Sequence, residues 1–267
     1  MLRILDARTG EPIDAALVGR GLVRVHAHPP GFGITGLRVL LVADVLARAL
    51  EIGGNPVWAT ATSTPDPADP SGSADPSGPA DPSGPAGPAD RWDGAALRAR
   101  AAELGIRPFE DHRDAGPGPV ATRTIEVLAP GVAATDGPRV AVAPVDAGHG
   151  PAAAPGDPTA LRLALLARRR DQPLRLDAPV LAEAEDTLGR WRAAVAGWAT
   201  RPSKPVPEDV RLRLRAAWED DLDIPAVLGV LRSVETSDIA EGARFETYAY
   251  ADRLLGLELT REIGASR

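Results

Sequence analysis

The chain of 267 residues has no cysteine, a single lysine (Lys204) and a single methionine at its start. Without cysteine, disulfides and thiolate metal sites are excluded, and the composition suits a cytoplasmic location. Aromatic residues are scarce at 4%, so the core must be built from alanine, leucine and valine, which supply most of the 44% hydrophobic content. No apolar run approaches the roughly 20 residues that span a bilayer, and the first residues, Met1-Leu2-Arg3-Ile4-Leu5-Asp6, lack a signal peptide's apolar stretch. No membrane partner is therefore expected. The formal charge of −7 argues against indiscriminate nucleic-acid binding, although it leaves room for a local basic patch.

Hydrophobic patterning divides what is present. Leu22 to His28 alternates like a strand and stops at Pro29-Pro30-Gly31. After a glycine-rich turn, Leu37 to Leu50 is helical, with a wide apolar side, and Val57 to Thr62 reads as a second strand. Strand, glycine turn, helix and strand make the opening βαβ unit of a nucleotide-binding sheet. Between Thr64 and Asp90 the pattern fails. Ala68-Asp69-Pro70-Ser71-Gly72 is repeated at Ala74–Gly78 and Ala80–Gly84, without side chains that form a core, so disorder is expected there. A helix is expected from Ala95 to Leu104, closed by Gly105, then an irregular segment before Ala121 to Leu128, and a short strand, Val140 to Val145.

From Asp157 the sequence reads as helical. Asp157-Pro158 and Asp177-Ala178-Pro179 are capping residues followed by an early proline. The first of these helices is expected to reach Arg170. In the second, Leu181, Ala184, Leu188, Trp191, Val195 and Trp198 recur at spacings of 3-4-3-4-3, one apolar stripe suited to a bundle. Further helices follow Pro207 and Asp223-Ile224-Pro225, and the last takes in Phe245, Tyr248, Leu255 and Leu259.

Several of these stretches resemble cysteinyl-tRNA synthetases and their relatives, the mycothiol ligases, of the class I aminoacyl-tRNA synthetase superfamily. Asp157-Pro158-Thr159-Ala160-Leu161-Arg162 is similar to the D-P-x-A-L-R that follows the KMSKS loop. Leu181 to Trp191, the acidic run Glu219 to Pro225, and Leu254-Leu255-Gly256-Leu257 resemble later landmarks in order. Near the start, Leu2 to Asp6 resembles the opening L-R-x-x-D. Gly33-Ile34-Thr35-Gly36-Leu37-Arg38 stands where those enzymes have H-I-G-H-A-R, with Asp44 matching an aspartate in the helix behind. Ala121 to Ile125 resembles a connecting A-T-E-H-I. The resemblance implies a shortened, degenerate paralogue. Its expected fold is α/β followed by all-α, a reduced Rossmann-like domain (1–64 and 92–156) interrupted by the repeat (65–91) and followed by a helical bundle (157–267).

The resemblance also implies a chemistry whose residues are missing. Adenylate formation stabilises charge on the ATP phosphates with two histidines and a loop lysine. Here the histidine positions are Gly33 and Gly36, and Lys204 lies far from any such loop. Removing one donor of this kind costs about 10²–10³ in rate, so no catalytic residue is assigned. Either the protein retains a weak nucleotide or anion pocket with ATP and Mg²⁺, formed by Gly31, Gly33, Thr35 and Gly36, or this turn is a connector and the partner is another protein. An ATP-dependent aminoacyl ligase with altered residues is the enzymatic alternative. A tRNA-binding module is the third reading, less favoured given the charge. For tRNA or another anion the candidates are Arg168, Arg169 and Arg170, in a basic concentration with Arg162, Arg175, Arg190 and Arg192; the alternative is a solvated helix end.

His26 and His28 project to one face of their strand, near the place of the family's first zinc cysteine. His112, His149, Asp111 and Asp146 are the nearest candidates to complete a set, but no spacing requires it, so no zinc is expected and the histidines read as structural. The run Glu219 to Asp223 reads as a helix cap with solvated neighbours rather than a cation site.

Overall fold

The computed structural model describes residues 1–16, 21–62, 94–111, 123–133, 137–147 and 156–265. The repeat, His112 and His149 lie outside them. The centre is a five-stranded parallel sheet. Strand β1 (Arg3–Leu5) and β2 (Pro12–Asp14) form a small antiparallel hairpin before it. The sheet then takes β3 (Val23–His28), β4 (Val57–Ala61), β5 (Glu110–Asp111), β6 (Arg123–Leu128) and β7 (Arg139–Ala141) in the order β5-β4-β3-β6-β7. The chain thus moves outward from β3 to one side, then returns to pair β6 on β3's other side. That reversal puts the topological switch point at the carboxyl ends of β3 and β6, the position at which open α/β sheets bind ligands.

Helix α1 (Ile34–Ile52) follows β3 directly, and Gly36 to Ala47 is buried without a break. The burial is explained by its neighbours. α1 packs on β3, β4 and β6, while α2 (Gly94–Glu103) and α7 (Glu241–Leu255) pack on it from outside. The helix begins three residues before the apolar pattern, because Gly33 serves as its N-cap without a side-chain bond.

The expected strand Val140–Val145 is two strands. β7 ends at Ala141, and β8 (Val145–Asp146) pairs with β9 (Leu174–Arg175) in a separate two-stranded sheet. Pro144 separates them because it has no N–H for the ladder; its carbonyl accepts from Leu174 instead, at 3.1 Å. Helix α3 (Pro158–Leu166) stops short of Arg170, and every residue from Thr159 to Leu166 is buried. α7 likewise ends at Leu255, where Gly256 takes the left-handed conformation (φ 62°) that glycine adopts without strain. The chain turns inward there, leaving Leu257 and Leu259 fully buried outside the helix.

The remaining helices are α4 (Ala178–Trp198), α5 (Glu208–Glu219) and α6 (Ile224–Glu235). Asp157, Asp177 and Asp223 cap α3, α4 and α6 by accepting from Thr159, Val180 and Ala226, each cap followed by proline in the first turn. The α4 stripe is buried throughout. Tyr248 stands edge-on between Trp191 and Trp198, with ring centroids 5.7 and 5.1 Å away, and donates its hydroxyl to the Leu231 carbonyl at 2.9 Å. Trp191 itself donates to Glu235 at 2.9 Å. Trp191→Ala should therefore cost about 3–5 kcal/mol in urea denaturation. A loss below about 1 kcal/mol would show that α4 collapses to refill the cavity. No described helix is long and apolar enough to cross a membrane.

Candidate functional site at the carboxyl edge of the sheet

Strand alternation sends the side chains of β3 to two faces. Val23, Val25 and Ala27 are fully buried on one, and Arg24, His26 and His28 share the other. Parallel pairing sets His26 level with Thr60 on β4 and Glu126 on β6. The two imidazoles meet edge to face, their centroids 4.4 Å apart. His28 Nε2 lies 2.5 Å from Glu126 Oε2. Thr62 Oγ1 is 3.0 Å from both His26 Nε2 and His28 Nδ1, and His26 Nδ1 is 2.7 Å from Thr60 Oγ1. Arg24 Nε donates to Thr60 at 2.9 Å. With Glu126 ionised, these bonds run in one direction: Arg24 to Thr60, Thr60 to His26, His26 to Thr62, Thr62 to His28, and His28 to the carboxylate. That direction corresponds to the Nε2–H tautomer of each ring. The sheet has thus assembled a buried carboxylate, two imidazoles and two hydroxyls at its switch point.

The glycine turn follows at once. It is half-buried from Gly31 to Thr35. A Cβ on Gly36 would overlap the backbone carbonyl oxygen of Gly31, so the turn closes over the place where a side chain would stand. Thr35 Oγ1 accepts from the Val145 amide at 3.0 Å, tying the turn to β8. The first intrahelical bond is from Leu37 N–H to Gly33 O, at 3.1 Å, so the amides of Ile34, Thr35 and Gly36 precede the ladder.

Among the described residues, all the arginines of the basic concentration but Arg168 form ion pairs within the fold. Arg170 is 5% exposed, donates to the Ala141 carbonyl and pairs with Asp221. Arg169 pairs with Asp223 at 2.6 Å and Asp221 at 3.3 Å. Arg168 is the exposed member of the three; its carbonyl accepts from Arg38. Arg190 pairs with Glu235, Arg192 with Asp157, and Arg175 with Asp177. The acidic run supplies the other half of this seam: Asp223 caps α6, Asp221 also accepts from the Leu5 amide, and Glu219 accepts from the amino terminus at 2.8 Å.

No family model matches the chain. Named relatives do. It is 41% identical over 108 residues to the L-cysteine:1D-myo-inositol 2-amino-2-deoxy-alpha-D-glucopyranoside ligase of Streptomyces griseus, a match covering 39% of this chain and 25% of that protein. The enzyme of the same name from Streptosporangium roseum is 40% identical over 108 residues, covering 39% and 26%. That from Segniliparus rotundus is 37% identical over 109 residues, covering 39% and 25%. Over this stretch the chain is a relative of these ligases. It spans about a quarter of the length of the curated relatives it matches.

In this ligase relative two positions have roles that sequence reasoning did not foresee. Glu126 completes the histidine cluster, where Asp111 and Asp146 had been the described candidates. Asp111 sits on β5, two strands from β3, and Asp146 on β8 lies outside the main sheet. The available signal was a lone carboxylate in the apolar run Ile125-Glu126-Val127-Leu128. Asp44 is the second. It is buried and accepts from Arg48 and Arg107, both at 2.9 Å, and from Arg162 at 2.8 Å. Burial alone would raise its carboxyl, but the Arg162 and Arg48 charges outweigh it and hold the group below the usual carboxylate range.

Proposed function

We propose that this chain is a ligase relative that does not form aminoacyl adenylates and that binds a nucleotide or a similar polyphosphate weakly at Gly31–Gly36. The observation that carries the first half is the closed turn. Gly33 and Gly36 stand where the resembled enzymes carry histidines, and the Gly31 carbonyl fills the space a side chain at Gly36 would need. Without those donors, charge developing on an α-phosphate has no preorganised partner, and electrostatic preorganisation is usually the largest catalytic contribution. The second half is supported by the α1 amides that precede the helical ladder, at the switch point of the sheet, a place that suits phosphate. A cytoplasmic location belongs to the same reading. A tRNA contact has less support, because Arg169 and Arg170 are engaged with carboxylates.

Calorimetric titration with ATP and Mg²⁺, repeated on Gly33→Asp, tests this. The expected result is weak binding that the added carboxylate abolishes, together with no ATP–pyrophosphate exchange in the presence of cysteine or any other amino acid. Exchange above background would establish the alternative, an active aminoacyl ligase with altered residues. Absence of heat at millimolar ATP would remove the nucleotide from the proposal and leave another protein as the partner to seek.

A further inference from the structure

The geometry points to a binding site for one divalent transition-metal ion, of the zinc class, formed by His26, His28 and Glu126. This inference does not rest on the nucleotide reading, since the three residues lie on the strands and not in the turn. Their ligand atoms, one per residue, all lie within 4.8 Å of one another, and the three residues are buried. Two neutral imidazoles with one carboxylate make a zinc donor set that leaves a fourth position open. Tetrahedral bonds of about 2.0–2.1 Å place ligand atoms roughly 3.4 Å apart, within the range this cluster spans.

The hydrogen bonds around the cluster suit the same purpose. A metal-bound imidazole holds its orientation by donating its other N–H to an outer acceptor. His28 faces Glu126 through Nε2, which leaves Nδ1 for Thr62. His26 has a threonine hydroxyl at each nitrogen, Thr60 at Nδ1 and Thr62 at Nε2, so whichever nitrogen binds, the other keeps an acceptor. All of these residues sit on strands of the central sheet or, for Thr62, directly after one, which is backbone that holds a site more firmly than loops do. In the metal-free cluster the 2.5 Å bond between His28 Nε2 and Glu126 occupies the place of the ion. Binding moves the His28 proton from Nε2 to Nδ1 of the same ring, where Thr62 accepts it, and the two ligand atoms separate by about 1 Å to reach ligand spacing. Glu126 is 1% exposed, and a carboxylate buried to that degree gains from nearby positive charge such as a divalent ion supplies.

The experiment uses the full chain after treatment with EDTA. Zn²⁺ is titrated by calorimetry, and Co²⁺ is followed by its visible absorption, which reports tetrahedral coordination. One ion per chain is expected, with a rise in melting temperature on adding Zn²⁺. Glu126→Gln and His28→Gln should abolish the cobalt spectrum, and Thr62→Val should weaken binding by about 10–100-fold. His112→Gln/His149→Gln, which removes the other two histidines, should bind as the parent does. Circular dichroism checks that each variant folds; where Glu126→Gln does not, the loss in Thr62→Val decides. No binding at millimolar metal, undiminished binding by folded Glu126→Gln or by Thr62→Val, or binding lost with His112 and His149 would each overturn the assignment.

Discussion

Asp44→Ala is expected to destabilise the protein by about 3–5 kcal/mol, one of the two largest effects anticipated for a single substitution here. The reason is what it leaves behind. Arg162 is fully buried; its Nε donates to the Leu255 carbonyl at 2.6 Å, its Nη1 to the Leu104 carbonyl at 3.1 Å, and its Nη2 to Asp44. Without Asp44 a guanidinium stays charged in the core, where carbonyl dipoles replace a full counter-charge poorly. The damage spreads because this pair joins α1 to α3 and to the ends of α2 and α7. Urea denaturation measures it directly. Asp44→Ala/Arg162→Met should recover most of the loss, since an apolar replacement of a whole buried pair is often neutral. A loss under about 1 kcal/mol for Asp44→Ala would mean that water reaches Arg162.

The same pair sets a pH dependence whose sign is fixed. Asp44 has its carboxyl lowered in the folded state, so its contribution is complete above the unfolded value near 4. It is lost as pH falls through the lower folded value. Acid denaturation of Asp44→Asn should therefore be shallower than that of the parent in this window, with both proteins flat towards neutrality in this contribution.

Gly36→Ala should cost about 2–3 kcal/mol and should not restore any ligase step; Gly36→His should cost at least as much. The added Cβ meets the Gly31 carbonyl oxygen, a backbone atom that cannot rotate away as a side chain would. The turn must open, and with it the bond from the Val145 amide to Thr35 that anchors β8. Thermal and urea melts read the stability, and ATP binding by Gly36→Ala reads the turn. A neutral substitution would show that the turn opens freely, and the closed-turn argument against adenylation would fall with it.

Much of the architecture was legible because periodicity reports local geometry. The α4 stripe and the proline-after-aspartate helix starts specify elements whose signals lie within a few residues of each other. Errors came where distant partners decide. Nothing in Val140–Val145 reveals that the Ala143 amide donates to the Arg170 carbonyl and that the Pro144 carbonyl accepts from Leu174. Arg169 and Arg170 belong to a basic run in the sequence, and the carboxylates that engage them, Asp221 and Asp223, stand some fifty residues away. Glu126 escaped notice as a site residue for the same reason, being 98 residues from His28.

By itself, then, the sequence determined the alternating β3 with its two histidines, the glycine turn that follows it, the helix caps and the absence of cysteine. These follow from side-chain identity and from spacings of two or of three to four residues. Only the tertiary structure decided that His26, His28 and Glu126 share one cluster, that the Gly31 carbonyl closes the turn, and that Asp44 and Arg162 join the sheet's first helix to the helices that follow. Each of those depends on strand order and helix packing, which bring together residues whose separation along the chain carries no information about their distance in space.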